Sequence, residues 1–202
     1  MYRIIKRLCD IVLSLIGLVV LFPVFLLISV LIKMDSKGPV FFWHKRVGYN
    51  NKDIKICKFR SMYNNAEAMI NSFDGKVKEE WLSNYKLEND PRITRVGKIL
   101  RKTSLDELPQ LYDILVGKLS IVGPRPVIRD ELNAKWTKEE QKKLLSVKPG
   151  LTGYWASHGR SNTTYEERVN LELYYVDNAS LWMDIKIIFG TIPSILSKKG
   201  AK

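Results

Sequence analysis

The sequence predicts an α+β fold, predominantly helical, with one small β-hairpin and an N-terminal segment apolar enough for a membrane. Three observations predict it. Charged residues make up 27% of the 202-residue chain, 33 basic and 21 acidic, yet none falls between Ile11 and Ile32. Two short runs rich in β-formers flank Gly48-Tyr49-Asn50-Asn51-Lys52, the pattern of a hairpin. The rest is mostly apolar residues at helical spacing, interrupted by Asp90-Pro91, Pro149-Gly150 and similar breakers. Hydrophobic residues at 46% and aromatics at 10% argue for a packed core and against disorder. A chain of this length supports one domain with one core.

The apolar run comes first. It is long enough to span a bilayer, for which about 20 apolar residues suffice. It is too long for a signal peptide and lacks a small-residue cleavage site. Pro23 lies near its middle, where a proline removes a hydrogen bond and breaks the helix. Both flanks are basic, Arg3, Lys6 and Arg7 before and Lys33 and Lys37 after, and positive flanks prefer the cytoplasmic side. Two readings follow: a helix that enters and returns, or a kinked single span. Gly38-Pro39 ends the segment.

Val40 to Val47 and Asp53 to Arg60 read as strands. Residues 62–72 suggest a short helix. Over 76–88, Val77, Trp81, Leu82 and Tyr85 recur at helical spacing. Arg92 to Lys102 is basic, with Arg92, Arg95, Lys98, Arg101 and Lys102 spaced to share a helix face. Ser104 to Val116, Thr137 to Val147, Thr164 to Val176 and Leu181 to Leu196 read as helices. The last carries a wide apolar face (Leu181, Ile185, Ile188, Ile192, Ile195) and then Lys198-Lys199. Such a helix either lies flat at a membrane interface or belongs to the core.

Composition bounds the function. Cys9 and Cys57 have no Cys or His at metal-ligand spacing, so neither a zinc site nor a disulfide framework is indicated. A net charge of +12 and a pI of about 9.6 call for an anionic partner or surface: lipid, nucleic acid or a phosphorylated substrate.

The stretch richest in chemistry is Arg101-Lys-Thr-Ser-Leu-Asp106-Glu107-Leu-Pro-Gln. Adjacent carboxylates beside cations suit phosphate chemistry, because a carboxylate holds Mg²⁺ against phosphate or accepts a phosphoryl group covalently. The competing reading is a capping box, with Glu107 folding back on Ser104. In Gly123-Pro124-Arg125-Pro126, two prolines hold one arginine in a restricted frame, which lowers the entropic cost of an anion clamp. Lys58-Phe59-Arg60 ends a strand. The Lys148-to-Gly153 loop runs on to Gly159-Arg160, and Tyr154 or Trp155 offers a stacking face.

Taken together, KRLCDIVLSL, the run broken at Pro23, KFRSM (58–62), TSLDELPQL (103–111), VGPRP (122–126), KPGLTG (148–153), GRS (159–161) and the tail ERVNLELYYVDNASLWMDIKII resemble the bacterial sugar transferase family, the monotopic polyprenyl-phosphate phosphoglycosyl transferases. The resemblance covers almost the whole chain in order. It implies a re-entrant membrane hairpin broken at Pro23 (1–37) and a cytoplasmic catalytic domain (38–202), with amphipathic helices at the interface. It implies the catalytic-core-only type, on the cytoplasmic face of the bacterial inner membrane. The implied reaction moves sugar-1-phosphate from a UDP-sugar to polyprenyl (undecaprenyl) phosphate and releases UMP. By this resemblance Asp106 is the nucleophile that forms a phosphosugar–aspartyl intermediate, and Glu107, with Asp106, binds Mg²⁺. Arg101 and Arg125 hold phosphates, with Lys58, Arg60 and Arg160 as further contacts. Asp184 matches a family acidic position whose role is open. No nucleic acid is implied, and the oligomeric state is left open. The Tyr154-Trp155-Ala156-Ser157-His158 stretch departs from many relatives, which carry Trp directly after Thr-Gly. The tail is closer to hexose-type members than to those using acetamido sugars. The competing function is a membrane-anchored basic module that binds anionic lipid or nucleic acid without catalysis, with salt-sensitive binding as its signature.

Overall fold

A computed structural model describes residues 1–70, 72–75, 77–79, 87, 89–159 and 163–196. The helix expected over 76–88 lies mostly outside them, as do Arg160 and Lys198-Lys199, and the side chains of Ile192 and Ile195 are likewise outside. The α+β, predominantly helical expectation is met.

The apolar segment forms two helices, α1 (Tyr2–Val20) and α2 (Phe22–Asp35), bent by 60°. No single helix among the described residues is long and apolar enough to cross a membrane; the bent pair together is. The break differs from expectation. It falls at Leu21, and Pro23 sits in the first turn of α2. There the missing N–H has no intrahelical partner to lose, and the fixed φ suits helix entry. Proline therefore starts the second helix, two residues beyond the bend.

Both helices dock on the same body. On α1, Arg7 donates to the carbonyls of Ile114 and Leu115 at 2.7 and 2.8 Å. Buried Asp10 accepts from the Ser120 hydroxyl and the Ile121 N–H. On α2, Ile28 and Ile32 pack with Phe59 and Leu100, and Asp35 accepts the Val96 N–H at 2.9 Å. Between these anchors Leu15, Ile16, Val19, Val20, Phe22, Leu26, Leu27 and Val30 are each at least 50% exposed. An apolar surface of that extent requires a partner other than water. Lys6 and Arg7 of the basic N-terminal flank are drawn into polar contacts with the domain.

The hairpin is as expected: β1 (Phe41–Val47) pairs antiparallel with β2 (Asp53–Phe59), Val47 opposite Asp53 and Phe42 opposite Lys58. Asn50 and Asn51 take the positive φ values of its turn, which asparagine tolerates better than most residues. After α3 (Ala66–Ile70) comes α4 (Arg95–Thr103), capped by the Thr94 hydroxyl on the Gly97 N–H. The basic face needs one correction. Arg92 turns inward and forms a double hydrogen bond with buried Asp90, while Arg95, Lys98 and Lys102 are exposed.

The chain continues through α5 (Gln110–Leu115), β3 (Ser120–Val122), α6 (Arg129–Lys135), α7 (Lys138–Leu144), β4 (Gly150–Thr152), α8 (Tyr154–His158), α9 (Tyr165–Asn178) and α10 (Leu181–Leu196). Thr137 with Glu140 and Thr164 with Glu167 form capping boxes that start α7 and α9. β3 and β4 pair in parallel, a contact the sequence reading did not foresee. On α10, Asp184 and Ile187 face inward, whereas Trp182, Ile185 and Phe189 are exposed. The helix is thus apolar on two sides: of the expected apolar face, Ile185 is exposed, while Leu181 and Ile188 are half-buried.

Candidate active site

The site is assembled where α4 ends. Ser104 adopts a left-handed conformation (φ 57), which stops α4 and turns the chain into a single 3₁₀ turn, Leu105–Glu107, before Pro109 starts α5. The continuous helix expected from Ser104 to Val116 is therefore broken. Nor does the capping box form. Ser104 makes no side-chain cap hydrogen bond, and the Glu107 carboxylate pairs with Lys58 Nζ at 2.6 Å. A charged partner across the cleft outcompetes a local backbone N–H.

Lys58 reaches Glu107 because β2 is fastened to α5. The carboxylate of Asp113, fully buried, accepts the Cys57 N–H at 2.6 Å and also binds Lys118. On the other side, Arg101 in the last turn of α4 donates from Nε to the Ser61 hydroxyl at 2.9 Å. Arg46, Lys58, Glu107, Gln110 and Arg125 then line one open cleft, together with Gly150 and Leu151.

The two carboxylates differ in character. Asp106 is 9% exposed. Burial pushes its pKa up to about 6, against the opposing pull of Lys58 and with Glu107 adding to the rise. Burial would raise Glu107 as well, but Lys58, then Arg125 and Arg46, hold it at about 2. Environments that drive two neighbouring carboxylates apart mark a site of chemistry more often than a structural pair. Asp106 is the less stabilised anion, hence the more reactive one. Glu107 is a fixed negative charge.

Of the predicted site residues, Asp106, Glu107, Lys58, Arg101 and Arg125 come together. Arg60 does not. It is buried, and its guanidinium donates to the carbonyls of Lys37 and Ser36 at 2.6 and 2.9 Å, tying down the exit of α2. Arg160 lies outside the described residues. Asp184 is remote in role from the cleft: it accepts from Lys6, Tyr2 and Tyr175 and fastens the start of α1 to α10.

Arg46 was missed. Its guanidinium donates to the Pro126 carbonyl and to His44 Nδ1, both at 3.2 Å. Burial, then the nearby Arg125, lower its pKa to about 10. The same surroundings, burial first and then Arg46 and Lys58, depress His44 to about 4, so its imidazole is neutral at pH 7. The signal was available: with Val47 opposite Asp53, period-two alternation puts Arg46 on the sheet face that carries Lys58.

Among the described residues no group of three His, Cys, Asp or Glu side chains gathers for a metal. The Asp106–Glu107 pair fits a different arrangement, one or two carboxylates that share Mg²⁺ with substrate phosphates.

Comparison with known proteins follows the same line. The family model for bacterial sugar transferases matches residues 1–198. The chain is 42% identical over 199 residues to the exopolysaccharide production protein ExoY of Sinorhizobium fredii, covering 97% of this chain and 87% of that one. It is 41% identical over 202 residues to the undecaprenyl-phosphate galactose phosphotransferase of Salmonella typhimurium, covering 98% of this chain and 42% of that protein. It is 38% identical over 208 residues to the UDP-N-acetylgalactosamine-undecaprenyl-phosphate N-acetylgalactosaminephosphotransferase of Aeromonas hydrophila, covering 100% of this chain and 46% of that one.

Proposed function

The chain belongs to the bacterial sugar transferase family, and on that premise we propose that it transfers sugar-1-phosphate from a UDP-sugar to undecaprenyl phosphate. The observation that carries the reading is the cleft with its border: a fixed carboxylate, Glu107, and cations from three separate elements line it, and the destabilised carboxylate of Asp106 stands next in the chain, within electrostatic reach of Lys58 and Arg101. In the first step an Asp106 carboxylate oxygen attacks the sugar-bearing phosphorus. The bond from that phosphorus to the bridging oxygen breaks, and UMP leaves with the electron pair. In the second, a phosphate oxygen of the polyprenyl acceptor attacks the same phosphorus. The aspartyl–phosphorus bond breaks and the Asp106 carboxylate is restored. Both reactants are anions, so Lys58, Arg46 and Arg125 supply the opposing charge. Mg²⁺ held by Glu107 and Asp106 with the donor's phosphates would add to that neutralisation.

The assay is UMP release by the purified chain in lipid nanodiscs, with Mg²⁺, undecaprenyl phosphate and a panel of UDP-hexoses and UDP-N-acetylhexosamines. Release with at least one donor, lost on chelation of Mg²⁺, is expected; none with any donor defeats the reading. Relatives of near-equal identity are named for galactose and for N-acetylgalactosamine, so the panel also decides the sugar.

The bent pair is read as a re-entrant hairpin over 1–37, at the cytoplasmic face of the inner membrane, carrying a catalytic domain over 38–202. Its support is that α1 and α2 dock on one body. Two ends held on the same small domain do not sit on opposite sides of a hydrocarbon layer about 30 Å thick. The exposed Trp182, Ile185 and Phe189 of α10 extend the apolar surface offered to lipid. In a Cys9→Ser background, cysteines at Arg3 and Lys37, both exposed, are expected to react with an impermeant reagent only after the cells are opened. Labelling of either from outside intact cells would refute this topology.

A further inference from the structure

Helix α9 carries a carboxylate where its spacing demands a core residue. Val169, Glu172 and Tyr175 form its buried row, and Glu172 is 1% exposed. One oxygen, Oε1, accepts the Arg125 backbone N–H at 3.1 Å; the other, Oε2, is buried with no partner among the described residues. Burial raises the acid to about 7. The charges around it are Arg125, Arg168 one turn earlier on α9, and Glu131 of α6, which pairs with Arg168.

The bond to Arg125 is notable for what surrounds it. Pro124 and Pro126 have no N–H, so Arg125 carries the only backbone donor in the Pro-Arg-Pro segment. A hydrogen-bond acceptor that grips this segment through its backbone must use it. From the side, the turn is held by β4, through Gly123 N–H to the Thr152 carbonyl and Gly150 N–H to the Pro124 carbonyl. From the hairpin, Arg46 donates to the Pro126 carbonyl, and Glu172 supplies the restraint on the Arg125 N–H. The Arg125 guanidinium, exposed, lies 5.8 Å from the Trp155 ring and lines the cleft.

We propose that Glu172 is the positioning residue for Arg125: by taking the sole N–H of the Pro-Arg-Pro turn, it sets where the guanidinium meets the diphosphate of the donor. The inference rests on reading the cleft as the donor site. A hydrogen bond to a carboxyl oxygen, and not charge on Glu172, is what the position needs. A glutamine therefore replaces it and a leucine does not.

The test uses the full chain in nanodiscs, with UDP binding by calorimetry and UMP release as separate readouts. Glu172→Leu is expected to weaken UDP binding and raise KM for the UDP-sugar by about 10-fold or more, because small displacements of a clamp are costly. The change in kcat should stay within about threefold, and the protein should remain folded, relief of a buried acid offsetting the Arg125 N–H left without its acceptor. Glu172→Gln should stay within about threefold of wild type in every parameter. On an Arg125→Ala background, Glu172→Leu should add less than about twofold, since the effect runs through Arg125. Should Glu172→Leu not fold, Glu172→Met makes the same test. Wild-type UDP affinity in a folded Leu or Met variant, or a full additional loss on the Arg125→Ala background, overturns the proposal. UDP binding by wild type with no UMP released from any donor would overturn the transferase reading instead and leave this one standing.

Discussion

Asp106→Asn is expected to lower UMP release by about 10⁴-fold or more and to eliminate any phosphosugar adduct on the protein, because an amide oxygen cannot replace a carboxylate as nucleophile. The same substitution should make the protein more stable. Burial lifts the Asp106 pKa from 3.8 to about 6, so the native state binds a proton more tightly than the unfolded chain. The cost of holding the anion is therefore complete above pH 6, shrinks as pH falls, and is gone below about pH 4. A rise of this size corresponds to at most about 3 kcal/mol. In buffer free of divalent ions, Asp106→Asn should melt several degrees above wild type at pH 8 and close to it near pH 4. A stability gain with activity lost separates a nucleophile from a structural acid. Retained turnover, or a variant less stable at pH 8, would remove Asp106 from its assigned role.

The same residues show how far a sequence can be read. The hairpin was legible because alternation and the Asn-Asn turn agree. The starts of α7 and α9 were placed at Thr137 and Thr164 from the sequence, and the structure shows a capping box at each, a wholly local device: Thr137 with Glu140 and Thr164 with Glu167. Ser104 with Glu107 has an identical spacing and forms no box, because Lys58 arrives from a strand over forty positions earlier in the chain. Local pattern cannot report a distant competitor. Arg60 and Arg92 failed for a related reason. Arginine in a basic run reads as a ligand or a surface group, yet each finds oxygen acceptors inside the fold, backbone carbonyls for Arg60 and Asp90 for Arg92. Pro23 marked the broken segment correctly but not the broken residue, since proline is as comfortable at the start of a helix as it is disruptive within one.

The hairpin and the cleft are also one mechanical unit. Arg7 of α1 holds the C-terminal carbonyls of α5, whose Asp113 secures the strand bearing Lys58. Asp10 of α1 holds β3, which leads straight into the Gly-Pro-Arg-Pro turn. On the topology proposed above, an element embedded in lipid would thus bear on two sides of the site where the lipid-borne phosphate would arrive. Under that proposal, one rigid frame would carry both the acceptor's membrane and the reacting carboxylate, reducing a search in three dimensions to lateral diffusion.

Gly150→Ala should break that frame where two backbones meet. A Cβ built on Gly150 would stand 2.1 Å from the Gly123 nitrogen and 2.4 Å from the Thr152 carbonyl oxygen. Both obstacles are backbone, so no side chain can rotate to make room. Relief requires the β3–β4 pair to separate, with loss of the Gly123 N–H bond to Thr152 and the Gly150 N–H bond to Pro124. Overpacking alone costs about 1–3 kcal/mol, and each buried hydrogen-bonding group left unpaired costs about 1–3 kcal/mol more. The expected loss is thus roughly 3 kcal/mol or greater, and the Arg125 turn loses its lateral support with it. Thermal melting should show the loss directly, and any protein that remains folded should bind UDP poorly. Lys148→Ala, at an amphipathic position two residues earlier, serves as the control and should melt within about 1 kcal/mol of wild type. A Gly150→Ala protein with normal stability and normal UDP affinity would mean that the parallel pair does not hold the arginine in place.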